Sequence, residues 1–166
     1  MVNKESEIRL ISTISSDLGA LKACSQSHPK FIHLVERHLY ANITFDNNDV
    51  GPNGLGIREF ISFLSDNPHI TNYIRSMDVS VRTADIQYLE GVASVLRMCS
   101  LLNKITLRHI NVTWVSLPEN FRFAFLDCLR LSSMEAVCLE CSCFPMEALD
   151  SFKNLKCLSL RRWTSA

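Results

Sequence analysis

One apolar spacing, Φ-x-x-Φ-x-Φ with Φ a large apolar residue, returns along most of this 166-residue chain. It occurs at Ile74, Met77 and Val79, at Leu102, Ile105 and Leu107, at Met134, Val137 and Leu139, and at Leu155, Leu158 and Leu160. A looser copy is Tyr40, Ile43 and Phe45. The first positions lie 34, 28, 32 and 21 residues apart. A single triplet of this kind is common by chance. Five in succession constrain the fold, because units that repeat in sequence stack and share a core that none could build alone.

Each interval carries one segment of helical period. Ile57, Phe60, Ile61 and Leu64 fall at i, i+3, i+4 and i+7 within Gly56–Asn67, and Asn67-Pro68 stops that helix. Asp85 is placed to cap the next, where Ile86, Leu89, Val92, Ala93 and Leu96 keep the period. Phe121, Phe125, Leu126 and Leu129 follow Leu117-Pro118, and Pro145 opens a last short helix with Met146, Leu149 and Phe152. Strand alternating with helix predicts βαβ units, a parallel sheet and right-handed crossovers. The expected fold is therefore α/β, a short right-handed solenoid with parallel strands on the concave side and helices outside. It spans residues 41–166 in about four to five units. The chain ends at Arg161-Arg162-Trp163-Thr164-Ser165-Ala166, directly after a strand match and with no closing helix, which reads as a truncated array.

The first forty residues read differently, as a helical segment. Ser6–Ser15 places Ile8, Ile11 and Ile14 on one side. Asp17 can cap a second helix with Leu18, Leu21 and Cys24 inward, and Pro29 starts a third with Phe31, Leu34, Val35 and Leu39. A strand at Tyr40–Phe45 follows, then a polar, Gly-rich connection over Asp46–Gly56.

Little in the sequence points to bond chemistry. The formal net charge is zero, so no basic footprint marks a nucleic-acid partner or an anionic membrane. No apolar run approaches the roughly 18 residues of a membrane span. The start of the chain lacks a basic region followed by an apolar stretch, so a cytoplasmic or nuclear location is expected, with the seven cysteines as reduced and mostly buried thiols. Cys138-x-x-Cys141, with Cys143 beside it, supplies one ligand pair where a zinc site wants two, and both would lie on a strand. His28, His33, His38, His69 and His109 sit in no catalytic motif, Gly51–Gly56 lacks the Lys-Ser/Thr of a phosphate loop, and the carboxylates are scattered. The expectation is a non-enzymatic protein with no catalytic residue, metal or cofactor.

Binding is the sharper expectation. If the triplets point into the core, the residues between them face the other side of the sheet, aligned in columns about 4.8 Å apart. One column is Asp46, Ser80, Arg108, Glu140 and Arg161, in which neighbouring charges alternate and can pair. A second is Thr44, Asp78, Thr106, Cys138 and Ser159, and a third is Asn42, Ser76, Lys104, Ala136 and Cys157. One reading is a solvated charged face, whose exposed pairs contribute only about 0–1 kcal/mol each; the other is a partner-binding face of Asp46, Asp78, Lys104, Arg108, Glu140 and Arg161.

The triplet spacing resembles the leucine-rich repeat, L-x-x-L-x-L, over roughly Tyr40 to Trp163. The segment Ile11-Ser12-Thr13-Ile14-Ser15-Ser16-Asp17-Leu18-Gly19-Ala20-Leu21-Lys22-Ala23-Cys24-Ser25, followed by Phe31 and Arg37-His38-Leu39-Tyr40-Ala41-Asn42-Ile43, is similar to the F-box-like start of many fungal F-box/leucine-rich-repeat proteins. Phe63-Leu64-Ser65-Asp66-Asn67-Pro68 through Ser76 is similar to the repeat start in the same group. The resemblance implies a substrate-recognition adaptor subunit of a Skp–cullin–F-box ubiquitin ligase, which tethers a protein substrate without catalysis of its own. It also implies that Ile8, Ile11, Leu18, Leu21 and Phe31 engage a Skp-type adaptor. Where that family opens its first helix with Leu-Pro-x-Glu, this chain has Lys4-Glu5-Ser6-Glu7. The alternative is a repeat-only interaction scaffold that does not bind the adaptor, its N-terminal helices serving as the cap.

Overall fold

A computed structural model describes residues 29–45, 56–81, 86–142, 144–152 and 154–161. Helix α1 (Pro29–Leu39) leads into strand β1 (Asn42–Phe45). Helix α2 (Ile57–Asp66) and a 3₁₀ turn (Pro68–Asn72) lead into β2 (Ser76–Val81). Helix α3 (Ile86–Met98) precedes β3 (Lys104–Thr113), and helix α4 (Glu119–Leu129) precedes β4 (Ala136–Ser142). A last 3₁₀ helix (Met146–Ser151) leads to β5 (Cys157–Leu160). The two helices expected before residue 29, the Asp46–Gly56 connection up to residue 55, and the Asp85 cap lie outside the described residues.

All five strands are parallel and neighbours in sequence are neighbours in space, in the order β1-β2-β3-β4-β5. Parallel neighbours need a crossover between them, and the helices supply it. Phe60 and Leu64 of α2, Leu89, Val92 and Leu96 of α3, and Phe121, Phe125 and Leu129 of α4 are all buried. They cover one face of the sheet, where Ile43, Phe45, Met77, Val79, Val81, Ile105, Leu107, Val137 and Leu139 are also buried in the same cluster. The fold is α/β with an open parallel sheet.

Helix α2 begins and ends where local chemistry dictates. The Glu59 carboxylate accepts the Gly56 N–H at 3.0 Å at the start of α2. At its other end the Asn67 backbone N–H and side-chain amide both donate to the Phe63 carbonyl, at 2.9 and 3.0 Å, and Pro68 cannot continue the helix. The units are joined by a recurrent backbone device. The carbonyl of Ala41 accepts the N–H groups of Arg75 and Ser76. Arg75 C=O accepts those of Asn103 and Lys104, Asn103 C=O those of Glu135 and Ala136, and Glu135 C=O those of Lys156 and Cys157, all at 2.8–3.0 Å.

Three features depart from the sequence expectation. The last crossover is 3₁₀ rather than α. Its unit is the shortest, and six residues at about 2.0 Å rise travel about 12 Å against about 9 Å for an α-helix. The fifth triplet is only partly withdrawn from water, with Leu158 40% exposed; β5 is an edge strand like β1, but among the described residues no helix follows it to cover that end. Strand β3 is longer than the triplet implied. Between Arg108 and Thr113 it advances while β4 moves only from Glu140 to Ser142, a bulge of the kind that re-aims the chain. Beyond it Trp114 turns into the core, 5.7 Å from Phe125 and 4.7 Å from Phe144 between ring centroids, both edge-on.

Helix α3 meets α2 at Gly91, where a Cβ would lie 2.6 Å from Ile57 Cγ1. Ile57 is buried and β-branched, so it yields little. Gly91→Ala gains about 1 kcal/mol of helix propensity but overpacks at about 1–3 kcal/mol. The expected outcome in urea denaturation is net loss of stability in the wild-type background. With Ile57→Ala, which removes the clashing methyl and methylene, Gly91→Ala becomes stabilising.

Candidate functional site on the open sheet face

The face of the sheet turned away from the helices is built from the residues that alternate with the core positions. Register aligns Asn42, Ser76, Lys104, Ala136 and Cys157 in one row, and Thr44, Asp78, Thr106, Cys138 and Ser159 in the next. Ser80, Arg108 and Glu140 form the third. Arg161 continues it, with its N–H on the Leu139 carbonyl at 2.8 Å. Asp46 lies outside the described residues. Except for Lys104, Arg108, Glu140 and Arg161, the side chains of these rows are short, so the backbone stays close to whatever meets the face.

The charges pair along the column in part: Glu140 meets Arg161 as expected, while Arg108 pairs outside it. Arg108 turns away from its β4 neighbour Glu140 and donates from Nη2 to Asp78 Oδ2 at 2.6 Å, diagonally over to β2. Glu140 instead receives Arg161 Nη1 at 3.3 Å. The reason is reach: Arg108 is long and 54% exposed, while Asp78 is short, 24% exposed and held close to the sheet. The Lys104 side chain makes no hydrogen bond or ion pair among the described residues. In the row before the strands, Lys156 Nζ meets Glu135 Oε1 at 2.7 Å.

Asp78 is the strained member. Burial raises its pKa above the ordinary 3.8, against the opposing pull of Arg108 and Lys104 and with added repulsion from Glu140. Burial prevails over a short ion pair because Oδ1 is enclosed and accepts no hydrogen bond, so half of the carboxylate is desolvated without compensation.

The cysteines divide by depth. Cys99 and Cys128 are buried between the C-terminal ends of α3 and α4, beside an open cavity of about 240 Å³ that Leu96, Ala124 and Leu131 also line. Burial pushes both thiols up to about 12, helped by their mutual repulsion at Cys99 and by Asp127 at Cys128. Neither supplies a thiolate near neutral pH. Cys138 is half-buried, and Cys157 is exposed rather than buried as expected, since it lies on the edge strand. Cys138 and Cys141 both fall within β4.

Of the adaptor-binding residues expected from the sequence, Ile8, Ile11, Leu18 and Leu21 lie outside the described residues. Phe31 lies in the first turn of α1, with its side chain outside those described. From that helix the sequence reading missed His33 and Glu36. Glu36 Oε2 stands 3.4 Å from His33 Nδ1 and 3.3 Å from His69 Nε2, the latter on the 3₁₀ turn before β2. The His33-x-x-Glu36 spacing was the available signal; its partner one unit later was not.

Among the described residues no helix is long and apolar enough to cross a membrane. Comparison with protein-family models, with curated proteins and with solved structures finds no match to this chain.

The raised pKa of Asp78 sets a pH test. A carboxyl that holds its proton more tightly in the folded chain stabilises the fold in acid and loses that contribution as pH rises from 3.8 through the raised value. Wild type should therefore lose stability relative to Asp78→Asn as pH climbs through that window, measured by thermal unfolding at constant ionic strength. A difference that grows in favour of wild type would contradict the account.

Proposed function

We propose that the strand–helix units form a short right-handed, leucine-rich-repeat-like solenoid whose open sheet face binds a protein partner, and that the chain serves as a substrate-recognition adaptor of a Skp–cullin–F-box type ubiquitin ligase. The observation that carries the binding reading is the alignment of Asp78, Arg108, Glu140 and Arg161 across four strands on an otherwise short-side-chain face. Both signs of charge are interspersed there, which suits a polar protein surface rather than a polyanion. Rows of residues in register over an extended face are the binding device of repeat proteins. The adaptor role rests on the F-box-like resemblance of the first forty residues, with Ile8, Ile11, Leu18, Leu21 and Phe31 as the contacts. A chain in that role brings substrate and ligase together and does no bond chemistry.

A second reading is favoured by one contact. Val35 of α1 is 1% exposed, and Tyr73 Oη lies 3.3 Å from His33 Nδ1 on the same helix. A helix so engaged serves as the terminal cap that a repeat array requires, which fits a scaffold without adaptor binding.

Co-purification with a Skp-type adaptor separates the two. Wild type is expected to form a stable complex, and Ile11→Asp, Leu21→Asp is expected to abolish it. A folded wild-type chain that does not bind leaves the scaffold reading.

A further inference from the structure

The geometry points to a divalent transition-metal site, of zinc type, formed by His33 Nδ1, Glu36 Oε2 and His69 Nε2. The three atoms lie within 4.8 Å of one another. Zinc bonds to imidazole nitrogen and carboxylate oxygen are about 2.0–2.2 Å, which puts neighbouring ligands of a tetrahedral ion about 3.3–3.6 Å apart. Two edges of that tetrahedron are already set, at 3.4 Å from His33 to Glu36 and at 3.3 Å from Glu36 to His69. The third edge, between the imidazoles, is no longer than 4.8 Å and closes by rotation of the exposed His33 side chain.

The carboxylate supplies a second and independent sign. Glu36 Oε2 is enclosed, yet accepts no hydrogen bond; the two imidazole nitrogens stand near it without hydrogen-bond geometry. An oxygen withdrawn from water and aimed between two nitrogen donors is unsatisfied as it stands, and a cation satisfies all three groups at once. Nitrogen and oxygen ligands in this ratio suit Zn²⁺ among common divalent ions and leave one position open. Tyr73 packs beside the site, its ring edge-on to the His69 ring at 6.1 Å; its hydroxyl, 3.3 Å from His33 Nδ1, gives up that hydrogen bond when the nitrogen takes a metal. The Tyr73 N–H on the Ile70 carbonyl at 2.9 Å closes the turn that carries His69.

Such an ion would join two elements that the sequence divides. His33 and Glu36 belong to α1, in the N-terminal segment, and His69 belongs to the unit that leads into β2. Metal binding would staple the segment to the first strand–helix unit, whichever partner the sheet face takes.

The test uses the full chain, reduced, with Zn²⁺ and Co²⁺ as probes. Calorimetry should show one Zn²⁺ bound per chain and a rise in melting temperature with added metal. Glu36→Gln and His69→Ala should each weaken binding more than about 10-fold, whereas His38→Ala, on the same helix but outside the cluster, should bind as wild type. His69 is surface-exposed, so its loss leaves the core intact. Bound Co²⁺ should show visible bands of a nitrogen–oxygen site without a thiolate charge-transfer band. Three results would overturn the assignment: no Zn²⁺ binding, binding that survives His33→Ala, His69→Ala, or a thiolate band that reports the cysteines instead.

Discussion

Four peptide carbonyls keep the units of this chain in step. Those of Ala41, Arg75, Asn103 and Glu135 each accept two N–H groups from the residues that open the next strand. A carbonyl oxygen has two lone pairs, so one group is fully satisfied by this arrangement. It also fixes which residue opens each strand. In a strand the side chains alternate with period two, and a slip of one residue would send the core set into water. The clamp before each strand and the apolar triplet within it therefore enforce the same register, one through the backbone and one through burial.

From that register the open face follows. Once Met77, Val79, Ile105, Leu107, Val137 and Leu139 are committed to the helical side, the residues between them have only the other side to occupy. Their alignment into rows is a consequence of core packing. What the rows carry is not dictated by that packing. Here it is short polar residues crossed by charges of both signs, with one carboxylate, Asp78, held in an unfavourable setting.

The rows were legible in the sequence because they depend only on period and spacing. The triplets at Ile74, Leu102 and Met134 place every strand from β2 to β4, and helix α2 stops at Asn67-Pro68 as its residues require. Side-chain reach was not legible. Spacing put Arg108 beside Glu140, while the length of the guanidinium arm takes it to Asp78. The bulge in β3 was hidden too, because no glycine or proline marks it, and with it the inward turn of Trp114 onto Phe125 and Phe144. The meeting of His33 and Glu36 with His69 depends on how α1 lies against the next turn, which no local pattern encodes.

Amide hydrogen exchange by NMR tests the central claim most directly. The account predicts that the N–H groups of Ser76, Lys104 and Ala136, which open their strands, exchange only through global unfolding, with the same protection as Val79, Leu107 and Leu139 within them. Exchange of the opening amides at rates near those of an unstructured peptide, while the strand interiors remain protected, would show that the carbonyl clamps do not hold the units in register.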